Sequence, residues 1–518
     1  MLILKSYEIN NFKNIKNWGP IGDKKLTIIS GVNSGGKSSL IQGLLLLKDI
    51  VTSKNEVQID FTGLNAQLGD FEDVLNKKNG ADTIDLSLEL IFKKSDKYND
   101  FFIDLLNSLR GPLYFLEKEN LNKLNGLNEI SISLSFSFGL IKKDSYQKGK
   151  LGVVRFRVDY QYGQQTLFME IQQKNYSYSV SSNRLEMVFQ QNFINFFFDQ
   201  NRNEEDVFSN PSESLKKFSS SIDEKLKENL SISFDNHLYP VFIYPSNLGK
   251  KKKHESLFIS DLFNTKINKI LEYLADGIYY IGPLREDPKL SYYIRAINKD
   301  DIGVKGENAP KVFFLRQDRT YLFSDPPLEN GPLLLEQSKR TLKSHVNRWA
   351  SYILAGNISY RVEKYSSENF GLFNMIDSHR RRMTNVGVGT SQIFPIIVEG
   401  IRRKFGLFIL EQPEIHLHPA AQARLADFLI SVALNNNLKI IVETHSEHLI
   451  NRLVRRNIRR ELDMCDTSIL FVNDGRLMNI NRDDIGMINE WPQGFLDTGL
   501  HEHEQLYLDQ INRLNEED

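Results

Sequence analysis

The chain has 518 residues, 41% hydrophobic and 25% charged, with 31 glycines and 15 prolines, which excludes wholesale disorder and collagen-like structure and leaves length for about three folded units. Lys and Arg total 65 against 66 Asp and Glu, a formal charge of −1, so the whole chain is not an electrostatic clamp for a polyanion and any nucleic-acid contact must come from a local patch. Cys465 is the single cysteine, which excludes an intrachain disulfide and a cysteine-rich zinc site and favours a reducing, cytoplasmic compartment.

Residues 1–50 predict two strands, a loop and a helix: 26–30 are a short apolar run, 31–36 a glycine-rich loop and 39–48 a strongly apolar helix. The apolar start of the chain is too short for a secretory leader, and no apolar run nears the roughly 18 residues of a membrane span, so no membrane association is expected. From residue 83 to about 190 the pattern changes to alternation, clearest in Ile130-Ser-Ile-Ser-Leu-Ser-Phe-Ser-Phe138 and repeated at 153–160, 167–171 and 176–180. That period of two predicts an antiparallel meander. Residues 191–276 are rich in Asn, Ser and Lys, with a helix expected at 214–229 and a basic run at 250–253, and read as an insertion. A strand is expected at 278–281, helical segments at 335–354 and 391–402, then a final α/β stretch. There is no sustained heptad pattern and no repeat with a period of 20–50 residues.

Gly31-Val-Asn33-Ser34-Gly35-Gly36-Lys37-Ser38 fits G-x-x-x-x-G-K-[ST], with the strand before and helix after that the motif requires. Glycines let backbone N–H groups curl around a phosphate at a helix N-terminus. Lys37 brings a point charge to the β- and γ-phosphates, and the Ser38 hydroxyl is placed to ligate Mg²⁺. Three more pieces follow in order. Asn385-Val-Gly387-Val-Gly389-Thr390-Ser391-Gln392 opens an apolar helix with glycines and hydroxyls, a second anion-binding N-terminus. Leu407-Phe-Ile-Leu-Glu411-Gln412-Pro413-Glu414 is a buried strand ending in an acid, the usual way to hold water-mediated Mg²⁺. Leu438-Lys-Ile-Ile-Val-Glu-Thr-His445 delivers a histidine at a strand's C-terminal end, where open α/β sheets keep ligands.

Together these pieces resemble the nucleotide-binding domain of ABC-type ATPases, in the branch that holds the RecF, SMC and OLD-like proteins. Glu411 lies 20 positions after Ser391 and His445 lies 34 after Glu411, similar to that family's order of signature, Walker B acid and histidine switch. Ile9-Asn-Asn-Phe12-Lys13-Asn14 and Asn33 are also similar to this branch, and Glu411-Gln-Pro-Glu-Ile-His416-Leu-His418-Pro419 resembles the OLD-like group. Gly282-Pro-Leu-Arg285 and Trp491-Pro-Gln-Gly494-Phe495 resemble bacterial ATPases carrying a C-terminal domain of unknown function. The ATPase motifs cover about the first 70 and last 190 residues, and the central 200 or so carry none.

The resemblance implies an α/β fold, an ABC-type P-loop NTPase domain with an antiparallel β subdomain and a helical insertion. Its divisions would be 1–190, an N-terminal ATPase lobe with Walker A and the meander; 191–276, a partly helical insertion; 277–400, a helical arm bearing the signature; and 401–518, a C-terminal ATPase lobe with Walker B, the histidine switch and the C-terminal domain. Gly31, Asn33, Ser34, Gly35, Gly36, Lys37, Ser38 and Ser39 would cradle the triphosphate of ATP. Ser38 and Glu411 would hold Mg²⁺, joined by Gln67, within Leu64-Asn-Ala-Gln-Leu-Gly-Asp70, as the Q-loop glutamine. His445 would contact the γ-phosphate. Gly387, Gly389, Thr390 and Ser391 depart from the family's Leu-Ser-Gly-Gly-Gln wording and would contact the γ-phosphate bound by a partner subunit. Gln412 stands where many relatives place the glutamate that polarises the attacking water. A neutral amide orients a water but cannot take its proton. Either Glu414 supplies that carboxylate, or hydrolysis is slow and the protein is an ATP-held switch.

Arg452, Arg455, Arg456 and Arg459 recur at helical spacing and present one candidate face for nucleic acid or an acidic partner, the 250–253 run another. His416 and His418, just ahead of Pro419, are expected to be structural or subunit-contact residues; His501 and His503, two apart, do not face together on a helix, and His445, three before His448, is better explained by the γ-phosphate role. Only 73 residues follow His445, too few for the metal-binding nuclease domain of full OLD-type proteins, so the output is expected in a partner. The expectation is therefore a homodimer or higher homo-oligomer that sandwiches ATP and governs a separately encoded effector, a nuclease. This resembles the ATPase components of Septu and retron-associated anti-phage systems, the PtuA-like group. The alternative is a RecF-like clamp in which ATP gates DNA binding.

Overall fold

The computed structural model describes residues 2–52, 61, 63, 65–77, 80–95, 99–110, 127–141, 150–174, 177–190, 192, 211–226, 230–233, 242–245, 257–294, 300–329, 331–376, 379–488, 492 and 505–509. They divide into two compact units, Met1–Asp23 with Gln42–Asp276 and Lys24–Ile41 with Gly277–Asp518.

The first unit is built on a ten-stranded antiparallel sheet. In spatial order its strands are Leu257–Phe258, Phe242–Pro245, Leu230–Ser233, Ser177–Ser182, Gln165–Lys174, Lys150–Tyr162, Glu129–Ile141, Thr83–Lys93, Leu2–Phe12 and Ile15–Ile21. The alternation read from sequence is what drives it. In Glu129–Ile141 the residues Ile130, Ile132, Leu134 and Phe136 are at most 1% exposed while the serines between them face partly to solvent, the one-face burial of an antiparallel sheet. The register from Thr83↔Gly139 to Lys93↔Glu129 is unbroken, because a slip of one residue would turn every apolar side chain outward. The 191–276 segment holds the helices Pro211–Leu226 and Thr265–Asp276 and also supplies three strands that extend the sheet edge. Those strands are short, and pairing to an existing edge is a non-local property that composition does not carry. The basic run 250–253 lies outside the described residues.

The second unit holds a six-stranded sheet in the order Ile278–Ile281, Phe405–Glu411, Asn437–Glu443, Leu26–Gly31, Thr467–Asn473 and Arg476–Asn479. The first five strands are parallel and the last is an antiparallel edge. Leu26–Gly31 is buried along its whole length, as a central parallel strand covered on both faces must be. The helices Leu342–Leu354, Val388–Arg402, Pro419–Asn435 and Glu447–Ile458 bury Trp349, Phe394, Phe428 and Leu453 in one core with the sheet. The 277–400 region, expected to be a helical arm, also contains the hairpin Thr320–Ser324/Gln337–Thr341 and a sheet of Tyr292–Tyr293, Ile358–Lys364, Asn369–Ile376 and His379–Arg382. The helix expected from residue 335 starts instead at Leu342: residues 337–341 pair in the hairpin, and the Thr341 hydroxyl accepts the Ser344 N–H as its N-cap. Residues 491 and 493–503, with the Trp-Pro-Gln-Gly-Phe motif and His501 and His503, lie outside the described residues.

Candidate active site

The site forms in the second unit at the C-terminal ends of three neighbouring parallel strands, Phe405–Glu411, Asn437–Glu443 and Leu26–Gly31. Parallel register sets Glu411 beside Glu443 and Glu443 beside Ile29, two residues before the glycine-rich loop. Apolar residues upstream on each strand are buried, so the acids are the first polar groups where the strands leave the core.

The loop is shaped by close backbone approach. Gly31 has φ 149°, and a Cβ there would overlap the Val472 carbonyl; Gly36 has φ 111° and Ser34 φ 60°. The Val32 N–H donates to the Val472 carbonyl at 3.2 Å and the Gly475 N–H to the Gly35 carbonyl at 3.1 Å, fastening the loop to the neighbouring Thr467–Asn473 strand. Asn33 and Ser34 are exposed at the tip, and Lys37 opens the Lys37–Thr52 helix, with the Ser39 N–H donating to the Gly36 carbonyl. Lys37 is only 5% exposed. Its Nζ donates to the carbonyls of Gly31 (3.0 Å) and Val32 (2.8 Å), so two of its three N–H groups fix the loop and the third is left for an anion's oxygen. Burial lowers its pKa while Glu443 opposes that.

Three buried glutamates face this loop's end of the sheet. The Ser38 hydroxyl donates to Glu443, with Oε2 at 3.0 Å and Oε1 at 3.2 Å. The Tyr280 hydroxyl donates to Glu411 Oε1 at 2.9 Å. Glu414 Oε1 accepts the His445 backbone N–H at 2.8 Å, which ties the turn after Phe405–Glu411 to the turn after Asn437–Glu443. Burial pushes all three carboxyls up; Glu411 reaches about 7, helped by the neighbouring Glu443 charge. His445 is exposed, and partial burial of its ring with the Lys37 charge lowers its pKa, which favours a neutral imidazole. Gln412 adopts φ 44° and its N–H donates to the Glu443 carbonyl at 2.7 Å.

Other expected site residues have no described contact with this group. Gly387 caps the Val388–Arg402 helix with open space around it, and Val388 is 51% exposed. Gly389 packs on the His416 carbonyl, the Thr390 N–H donates to the Gly387 carbonyl and the Ser391 hydroxyl to the Val388 carbonyl. None of the hydrogen bonds described joins this helix start to the phosphate loop of its own chain. Gln67 belongs to the first unit, exposed at φ 43°, on a turn that Asp49 holds by accepting the Asn65 and Ala66 N–H groups; its Mg²⁺ role rests on the sequence resemblance alone. His418 caps the Pro419–Asn435 helix through Nδ1.

The arginine face needs correcting. Arg456 is 2% exposed and pairs with Asp427 and Glu461, and Arg452 also pairs with Asp427. The helix carrying Asp427 covers this side, so only Arg455 and Arg459 remain toward solvent. The sequence assigns no role to Glu443, Tyr280 or Arg285, although Arg285 closes the Gly282-Pro-Leu-Arg285 motif. Glu443 was visible as the acid ending the histidine strand, but its role comes from cross-strand register.

The oxygen donors here, one hydroxyl and two adjacent carboxyls raised above their usual range, suit a hard divalent cation that would discharge the pair, so the residues fit Mg²⁺. Among the described residues no three His, Cys, Asp or Glu side chains form a metal-binding group; Mg²⁺ in such sites takes its other ligands from phosphates and water. A family model described as an AAA ATPase domain matches residues 2–450. The chain belongs to this AAA ATPase family. Its fold is the α/β P-loop NTPase fold, with the antiparallel β subdomain. Among solved structures, this AAA ATPase is similar to the Smc head domain with an extended coiled coil bound to the C-terminal domain of ScpA from Pyrococcus furiosus, at 10% identity over 99% of this chain and 100% of that one, TM-score 0.36. It is also similar to the SMC head domain from Thermotoga maritima, at 10% identity over 92% and 99%, TM-score 0.34. No curated protein matches. Among the described residues no helix is long and apolar enough to cross a membrane.

Proposed function

We propose that this AAA ATPase binds ATP with Mg²⁺ on residues 31–39, hydrolyses it slowly, and in its ATP-bound dimer controls a separately encoded effector, a nuclease, in bacterial anti-phage defence. The observation that carries the nucleotide reading is the convergence of Lys37, Ser38, Glu443 and Glu411 at adjacent strand ends. Ser38 and Glu411 would hold Mg²⁺, which when bound neutralises triphosphate charge. Lys37 holds the loop open for the β- and γ-phosphates, and the neutral His445 imidazole can hydrogen-bond a γ-phosphate oxygen or the attacking water. Gln412 orients that water without accepting its proton, which supports slow turnover. The dimer is supported by the start of the Val388–Arg402 helix, open to solvent at Gly387 and Val388.

Lys37→Ala decides the first step. It removes both loop contacts and the only side-chain charge in the loop, and calorimetry should show ATP binding weakened at least about a hundredfold with the fold intact; unchanged affinity sinks the assignment. For the effector, co-expression with the products of adjacent genes should protect cells from phage, and Lys37→Ala should remove the protection. A second reading, ATP-gated DNA binding, is supported by the His379–Arg382 strand, exposed at each of its residues.

A further inference from the structure

The Gly282-Pro-Leu-Arg285 segment takes no part in the nucleotide chemistry assigned above, yet Arg285 is only 7% exposed. It leaves the Ile278–Ile281 strand, which runs parallel to Phe405–Glu411 from Ile278↔Leu407 to Ile281↔Leu410. Arg285 Nη2 donates to the Glu411 carbonyl at 2.9 Å, and Nη1 to the Gln412 carbonyl at 2.9 Å and the Pro283 carbonyl at 3.1 Å. None of these bonds is to a carboxylate, and Nε is buried without a partner. The Glu414 and Glu411 charges act on this guanidinium, but its described hydrogen bonds all go to backbone carbonyls, so charge pairing alone does not explain its placement. Two of those carbonyls flank the peptide that carries Gln412.

Gln412 needs such a hold. Its φ of 44° lies in the left-handed region, which a residue with a side chain avoids unless its surroundings impose it. The Glu443 carbonyl takes its N–H at 2.7 Å and Arg285 takes its C=O, so the residue is gripped at both ends. Those grips set the direction of its Cα–Cβ bond. We propose that Arg285 is a positioning residue for ATP hydrolysis, a guanidinium fork that locks Gln412 in the left-handed turn and so aims its amide at the attacking water. This rests on the ATPase reading above. The planar fork matters: two Nη groups at fixed spacing hold the two carbonyls in one relative orientation, whereas a single ammonium nitrogen, even where it donates to both, does not fix that orientation.

The test is a double-mutant cycle of Arg285→Lys with Gln412→Gly, read by single-turnover hydrolysis, ATP affinity and thermal melting. Glycine adopts φ 44° without a clamp and has no amide to aim. Arg285→Lys alone should lower the turnover rate by on the order of tenfold or more with ATP affinity within about twofold, since a misplaced group costs rate before binding. In the Gln412→Gly background the same change should cost less than about twofold, and the drop in melting temperature should shrink as well. An equal loss in both backgrounds would mark Arg285 as generally structural and overturn the proposal, as would wild-type turnover in Arg285→Lys. If Arg285→Lys folds only when Gln412 is glycine, the proposal is supported; if it folds in neither background, the proposal fails. A wild-type protein that binds ATP without hydrolysing it overturns the ATPase reading and this proposal together, whereas normal hydrolysis unaffected by Arg285→Lys overturns only this one.

Discussion

Glu411 and Glu443 are neighbours by register, and burial holds both above the usual carboxylate range; the Glu443 charge adds to the rise at Glu411, and the Glu414 charge to the rise at Glu443. Glu443 has partial relief from Ser38 and Lys37, while Glu411 has the Tyr280 hydroxyl and the more distant Arg285. Glu414 differs in use, because its Oε1 holds the His445 N–H and so anchors backbone. This arrangement favours Glu443 over Glu414 as the second carboxylate of the site. It also makes a pH prediction. With a folded pKa near 7 against an ordinary 4.5, Glu411 holds its proton longer in the folded chain. The unfolded state therefore loses protons first as pH rises, and stability falls between about 4.5 and about 7, then levels off. The loss is at most about 3 to 4 kcal/mol, from about 1.4 kcal/mol per pKa unit between about 4.5 and about 7. Melting in the absence of nucleotide and divalent cation should show this decline, and Glu411→Gln, neutral at all pH, should flatten it. An identical pH profile in the variant would mean that Glu411 does not titrate as described.

At the scale of elements, the Pro419–Asn435 and Glu447–Ile458 helices are joined by a buried charge cluster. Asp427 has no exposed surface and accepts from the Tyr352 hydroxyl at 2.6 Å and from Arg452 and Arg456. Asp427→Ala leaves Arg456 buried with only Glu461 and the Gly331 carbonyl as partners, and should cost about 3–5 kcal/mol in urea unfolding. Arg455→Ala, on the part-exposed side of the same helix, should cost about 1 kcal/mol or less. Equal effects would show that the cluster does not carry the helix pairing. This helix also shows what a sequence discloses. The i, i+3, i+4, i+7 spacing of the arginines was legible, but which neighbour covers which of them was not, because Asp427 is 29 positions before Arg456 and meets it only through packing. The glycine-rich loop at 31–36 and the strands that end at Glu411 and just before His445 were readable as local structure because each is a short run with a boundary residue: glycines, a terminal acid, a following histidine. Glu443 and Arg285 were not, since register and a crossing from another strand give them their neighbours. The sheet alternation at 130–138 was equally plain, whereas the strands at 230–233 and 242–245 exist by pairing with an edge that their own four residues do not encode.

For the whole molecule, the proposed cycle turns on a site shared between two copies. Gly387 and Val388, at the start of the Val388–Arg402 helix, are exposed, and a side chain at Gly387 would meet nothing within 4 Å. A helix N-terminus attracts an anion, and the γ-phosphate is the part of ATP that ADP lacks. If two copies meet with each signature helix against the other's nucleotide, each γ-phosphate contributes to the interface, and ATP should tighten the dimer by mass action where ADP does not. Slow hydrolysis at Gln412 would then prolong the joined state, so bound nucleotide and not turnover would be the signal an effector reads. Ser391→Arg tests this at the interface itself. Ser391 is half-buried in the first turn, its hydroxyl returned to the Val388 carbonyl, so an arginine there adds bulk and a cation in the path of the facing copy while leaving the phosphate loop untouched. Light scattering should give a dimer with ATP for the wild type, a monomer with ADP, and a monomer in both cases for Ser391→Arg, with ATP affinity per chain reduced only by the lost coupling. The same mass in all four conditions would refute a composite site and leave the signature helix without a nucleotide role.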